Sequence, residues 1–150
     1  MIARLRDFAR CARGSAAVEA AVVVPVLLTI GLGAAETGNL VSENHRMKVG
    51  LAAGARMLAR AQAPETLEAQ ARNLAVTGAR TGGGPRIANW RTSDVQISYR
   101  WIDNATGAYT GGSRIRVIRL ESTKPYHGLG FLGLVRPLQV NAMHEERWTG

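Results

Sequence analysis

The chain of 150 residues contains one cysteine, Cys11, so no disulfide can form within it and its fold must be held by packing or by partners. Aromatic residues make up only 5% of it, and none lies between Phe8 and Trp90. The first half draws on alanine, leucine and methionine, whereas Trp90, Tyr99, Trp101, Tyr109, Tyr126, Phe131 and Trp148 crowd the end. That uneven supply predicts helix first and sheet second. His45, His127 and His144 are far apart and have no cysteine or carboxylate at ligand spacing, so no metal centre is read from them. His144-Glu145-Glu146 lacks the second histidine that a zinc protease presents on one helix face. Gly82-Gly83-Gly84 lacks the Lys and Ser/Thr of a phosphate loop, and Ser42, Ser93, Ser98, Ser113 and Ser122 have no nucleophile-elbow context. No catalytic residue, cofactor or small-molecule substrate is therefore expected.

Charge is almost missing from Ser15 to Ala35, where Glu19 is the only ionisable side chain. A carboxylate near bilayer hydrocarbon costs on the order of 2.5 to 3.5 kcal/mol, so a membrane segment does not keep one without a use. The run is just long enough, at about 1.5 Å per residue, to cross a hydrocarbon core of ~30 Å. Pro25 lies inside it and removes one backbone hydrogen bond, which should bend the helix.

The formal charge is +8, and Arg4, Arg6, Arg10 and Arg13 set against Asp7 place much of it just before the apolar run. A basic balance can mark a nucleic-acid partner, but charge abutting a span is first a topology signal: the N-terminus stays cytoplasmic and the rest crosses. Arg114, Arg116 and Arg119 near Trp101 are read as a solvated strand edge that resists pairing, and no nucleic acid is expected.

Beyond Glu36, Leu40, Met47, Leu51, Ala55 and Leu58 form an amphipathic stripe that carries the helix to about Arg60, with Glu43, Arg46, Lys48, Arg56 and Arg60 mostly off it. Gly50 and Gly54, four apart, let a neighbouring backbone come close. Pro64-Glu65 restarts a shorter helix with Leu67, Ala71, Leu74 and Ala75 on its apolar face, and Gly78 stops it. Thr81 to Pro85 reads as a flexible turn and the best boundary in the chain. Val95, Ile97, Tyr99 and Trp101 then alternate with polar residues. Ile115 and Val117 alternate with Arg114 and Arg116, and the two runs form an antiparallel hairpin. A third strand is expected over Pro137 to Glu145, with Leu138, Val140 and Ala142 facing one way, and Asn104-Ala105-Thr106 is taken as a turn.

The string Arg13-Gly14-Ser15-Ala16-Ala17-Val18-Glu19, followed by apolar residues, resembles the processing site of type IV pilin-like proteins. More narrowly, Gly14, Glu19 and Pro25 match the spacing of the TadE/TadG-type proteins of tight-adherence (Flp) pilus systems. Gly33 and Glu36 resemble that family's helix exit, and Ala52 to Arg56 its second, Ala-rich stretch. Where many members place an aromatic after the glutamate, this chain has Ala20.

The resemblance implies a prepilin peptidase that cuts between Gly14 and Ser15, and a Glu19 that sets subunit register during assembly. Cleavage would leave the Ser15 amine one helical turn from Glu19, where a charge pair offsets the desolvation of the carboxylate. Gly14 is expected to interrupt the helix and present a slim, extended bond. Two other readings stay open: an interfacial carboxylate stabilised by the helix dipole, and a secretory signal ending at Gly33-Ala34-Ala35.

The fold class expected is α+β: a long N-terminal transmembrane and amphipathic helix, a second short helix and an antiparallel sheet of about three strands. Its divisions are a basic cytoplasmic leader over 1–14, the span over 15–36, a helical region over 37–80 and a sheet region over 86–150. The function implied is a TadE-like minor pilin or pseudopilin, not an enzyme. Its partners would be other pilins and pilus assembly components in the bacterial inner membrane, with the C-terminal part in the periplasm. The alternative is a membrane-anchored periplasmic enzyme or envelope-binding protein with its site in the sheet.

Overall fold

The structure, a computed structural model, describes residues 12–107, 109, 112–128 and 138–150. Cys11, the rest of the leader before it, and Phe131 lie outside the described residues. Helix α1 (Ala12–Ala59) runs for 48 residues, about 72 Å at the usual rise. It passes through Gly14, so the interruption expected there is not found. A single glycine with open space around it costs a helix only about 1 kcal/mol relative to alanine, and the alanine-rich turns that follow outweigh it. A 3₁₀ turn (Pro64–Leu67) leads into α2 (Glu68–Thr77). Gly78 ends α2 in the left-handed conformation, φ 87°, with its N–H donating to the Leu74 carbonyl.

Strands β1 (Val95–Asp103), β2 (Arg114–Pro125) and β3 (Gln139–Arg147) form an antiparallel meander in the order β1-β2-β3. The register sets Tyr99 opposite Ile118 and Ile118 opposite Glu146. On the helix-facing side lie Val95 and Ile97 from β1, Ile118 and Leu120 from β2, and Val140 and Ala142 from β3. Arg116 shares that parity, so Ile115 and Val117 occupy the opposite face. β2 is also the central strand, which corrects the reading of its arginines as an edge. Arg114 pairs with Asp103, Arg116 with Glu65 and Arg119 with Glu121. Arg116 also stacks over the Tyr99 ring, 4.4 Å from its centroid.

The stripe Met47, Leu51, Ala55 and Leu58 is fully buried between α2 and the sheet. Backbone approach at Gly50 and Gly54 is as the spacing predicts, and the neighbour is α2 of the same chain. A Cβ at Gly50 would fall on the Ala75 carbonyl, and one at Gly54 would lie 2.8 Å from the Ala71 carbonyl oxygen. The connection after α2 is tied down: Asn73 Nδ2 donates to the carbonyls of Ala79 and Gly82 at 2.9 and 2.8 Å. Ile87 and Trp90 from this connection enter the core, and Trp90 Nε1 donates to Ser122 Oγ at 2.9 Å. One core therefore unites the outer half of α1, α2 and the sheet. The C-terminus closes the end of α1, with Thr149 N–H donating to the Ala59 carbonyl and Trp148 Nε1 to that of Ala61.

Candidate assembly site

Among the described residues, the first half of α1 is exposed almost throughout. Val18, Val22, Val26, Leu27, Leu28 and Ile30 are each more than half exposed and lie all round the helix axis. A helix apolar on every side is stable only when lipid or other helices surround it. Among the described residues, Gly14–Ala59 is the one helix long and apolar enough to cross a membrane. Thr29 and Thr37 donate their hydroxyls to the Pro25 and Gly33 carbonyls, each at 2.8 Å, so neither needs water.

Glu19 is exposed on this apolar surface, and so are Gly14 and Ser15. Because the helix is continuous here, Ser15 and Glu19 stand on one face, one turn apart. Pro25 lies within the same helix, further along the span.

Where α1 leaves the apolar stretch, the structure gathers polar residues that the sequence reading did not connect. Glu36 is fully buried, and its backbone carbonyl accepts a hydrogen bond from the Tyr126 hydroxyl at 3.1 Å. Partial burial, with the Glu36 and Glu43 carboxylates nearby, raises the Tyr126 pKa above its usual value. Lys124 is 1% exposed; its ammonium donates to the Ala88 carbonyl at 3.1 Å and lies 2.9 Å from Glu43 Oε2. That second contact is an ion pair. Asn44 Nδ2 donates to the Asn141 carbonyl at 2.6 Å, joining α1 to the start of β3.

The spacing that reveals this cluster is the core stripe itself. Glu36, Leu40, Glu43 and Met47 follow steps of four, three and four, so Glu43 belongs to the buried face, not off it. Lys124 has the parity of Ile118, Leu120 and Ser122 on β2.

A depression between Asn44, Lys48, Ser93, Asp94, Arg119 and Asn141 is open and polar. Several of its groups are engaged in structure: Asp94 accepts from the Arg91 N–H, Arg119 pairs with Glu121, and Asn44 Nδ2 donates to the Asn141 backbone carbonyl. Of the three histidines, His45 and His127 are exposed and His144 Nε2 lies 3.1 Å from Glu146 Oε2.

Comparison with known proteins gives one family. The model of the TadE-like protein family matches residues 14–56, from Gly14 through the apolar span and the buried stripe to Arg56. No curated protein and no solved structure matches the chain. The match covers the exposed apolar half of α1, the segment that carries Glu43 and the stripe as far as Ala55, so over residues 14–56 the chain is similar to the TadE-like family.

Proposed function

We propose that the protein is a TadE-like minor pilin or pseudopilin that takes part in assembling an Flp/Tad-type pilus for surface adhesion. The observation that carries this reading is the exposed apolar half of α1, with Glu19 on its surface, continuous with a helix that forms the core of a folded head. The span sits once in the bacterial inner membrane, with the basic leader in the cytoplasm and the head in the periplasm. Its action is packing, not catalysis: apolar helices associate, Glu19 sets their register and Pro25 bends the span.

Other pilins and assembly components are the partners. A prepilin peptidase cutting between Gly14 and Ser15 would provide the amine that pairs with Glu19, on the same helix face. Mass spectrometry of the mature N-terminus tests that step, since Ser15 marks the cut and Met1 or Ile2 an uncut anchor. The deciding experiment for the function is Glu19→Ala in the producing bacterium. Membrane insertion should persist while pilus number falls, and wild-type pilus number in that variant would overturn the role of Glu19.

A further inference from the structure

The stripe that packs α1 into the head is nearly degenerate. Met47, Leu51, Ala55 and Leu58 recur about once per turn, and their partners on the sheet, Ile118, Leu120, Val140 and Ala142, are aliphatic. Aliphatic packing is non-directional, so sliding the helix one turn along the sheet, about 5.4 Å, can set Leu51, Ala55 and Ala59 where Met47, Leu51 and Ala55 stand. Gly50 and Gly54 fix α1 against α2, where Ala75 and Ala71 carbonyls lie over them, and Gly54 also faces the flexible Leu120 side chain of β2.

Against the sheet, the distinctive contacts are polar. A one-turn slide would put Asn39 or Met47 in place of Glu43 beside the buried Lys124 ammonium. Neither can neutralise it, and an uncompensated charge in a packed interior is among the strongest penalties a fold can meet. In one direction the same slide would bring Leu40 to the Asn141 carbonyl now held by Asn44.

We propose that the Glu43–Lys124 pair, flanked by Asn44–Asn141 and by Tyr126 on the Glu36 carbonyl, is a register lock that sets the height and facing of the sheet on the membrane helix. Single-register specification is the best-attested use of a buried ion pair. Glu43 and Lys124 are positioning residues: they act through α1, which is one element from Ala12 to Ala59. With the sheet fixed at Glu43, the offset between the head and Glu19 is fixed as well, 24 residues or about 36 Å up the helix. For that consequence alone the inference rests on the proposed pilus role.

The test uses the full chain in bacterial membranes with Cys11→Ser and a short thiol-to-thiol crosslinker. Arg56 and Glu146 face each other across α1 and β3, 3.9 Å apart at their charged ends, so cysteines at 56 and 146 report the present register. Cysteines at 52 and 146, or at 60 and 146, report slides of one turn. With Glu43 and Lys124 intact, only the 56/146 pair should join. In Glu43→Leu/Lys124→Met, which removes both charges of the pair together, a 52/146 or 60/146 product should appear.

The charge swap Glu43→Lys/Lys124→Glu should restore the single product, which a merely space-filling role would not do. A double variant that still joins only 56/146, or a swap that remains mixed, overturns the lock. Pilus counts on the same strains are read separately: a slipped register with normal pili would retain the lock and remove its link to assembly. Loss of pili in Glu19→Ala bears only on the pilus role.

Discussion

Gly50→Ala tests the packing of α1 against α2, because one added methyl should reverse the usual benefit of alanine in a helix. Alanine gains about 0.8 to 1.0 kcal/mol over glycine in a helix interior. At Gly50 the new Cβ would collide with the Ala75 backbone carbonyl and lie 2.9 Å from Trp90 Cη2. Overpacking costs typically 1 to 3 kcal/mol, and a backbone carbonyl flanked by a buried tryptophan can give little, so the upper part of that range applies. The net expectation is a loss of about 2 kcal/mol.

Gly38→Ala in the same helix is the control, since nothing lies within 4 Å of its Cβ and only the propensity gain remains. Gly54→Ala should fall between the two: one obstacle there is a Leu120 methyl at 2.9 Å, which can rotate. The assay is a denaturant titration of the full chain in detergent micelles, followed by tryptophan fluorescence, in which the buried Trp90 reports opening of the α1–α2 contact. A Gly50→Ala protein as stable as Gly38→Ala would refute the close approach and the sign reversal together.

Lys124→Met leaves Glu43 without its cation and should cost about 3 kcal/mol in the same titration, while Glu43→Leu/Lys124→Met should lie within about 1 kcal/mol of the parent. Tyr99 is held neutral, first by burial and then by its hydrogen bond to Glu68, so its pKa is raised. The stability this contributes is present below the unfolded value near pH 10 and is lost as pH climbs from there toward the raised folded value. Tyr99→Phe should therefore cost about 1 kcal/mol at neutral pH and flatten the alkaline limb of a stability profile. Glu65 shifts the opposite way: the Arg116 hydrogen bond lowers its pKa below 4.5, so its contribution holds above that value and fades as pH falls through the lower folded one. Glu65→Gln should remove that acid-side dependence, read by thermal melts between pH 3 and 6.

Much of the architecture was legible because it is written in local terms. The apolar run, the stripe at helical spacing, Pro64 and Gly78 as start and stop signals, and the alternation of β1 and β3 each depend on neighbours within a few positions, and they appear where expected. The interruption at Gly14 failed because a lone glycine is a small local penalty that a long helix overrides. The edge reading of the β2 arginines failed for another reason. Whether a strand is central is decided by what pairs on both sides, and Arg116 finds Glu65, Tyr99 and Trp148 only after the chain has folded back.

The candidate site divides along the same line. Gly14, Ser15, Glu19 and Pro25 are a spacing along one helix, so the sequence alone picks them out, and the family match over residues 14–56 includes that segment. The junction of Glu36, Glu43, Lys124 and Tyr126 joins positions up to 90 apart in the chain. Charged residues on an apolar stripe look like interruptions until a partner from another strand is supplied. The sequence by itself determined which stretch of helix is long and apolar enough to cross a membrane, because hydrophobicity and helix geometry act locally. Only the tertiary structure decided how the head is held on that helix, because a buried charge acquires meaning from the opposite charge that folding brings to it.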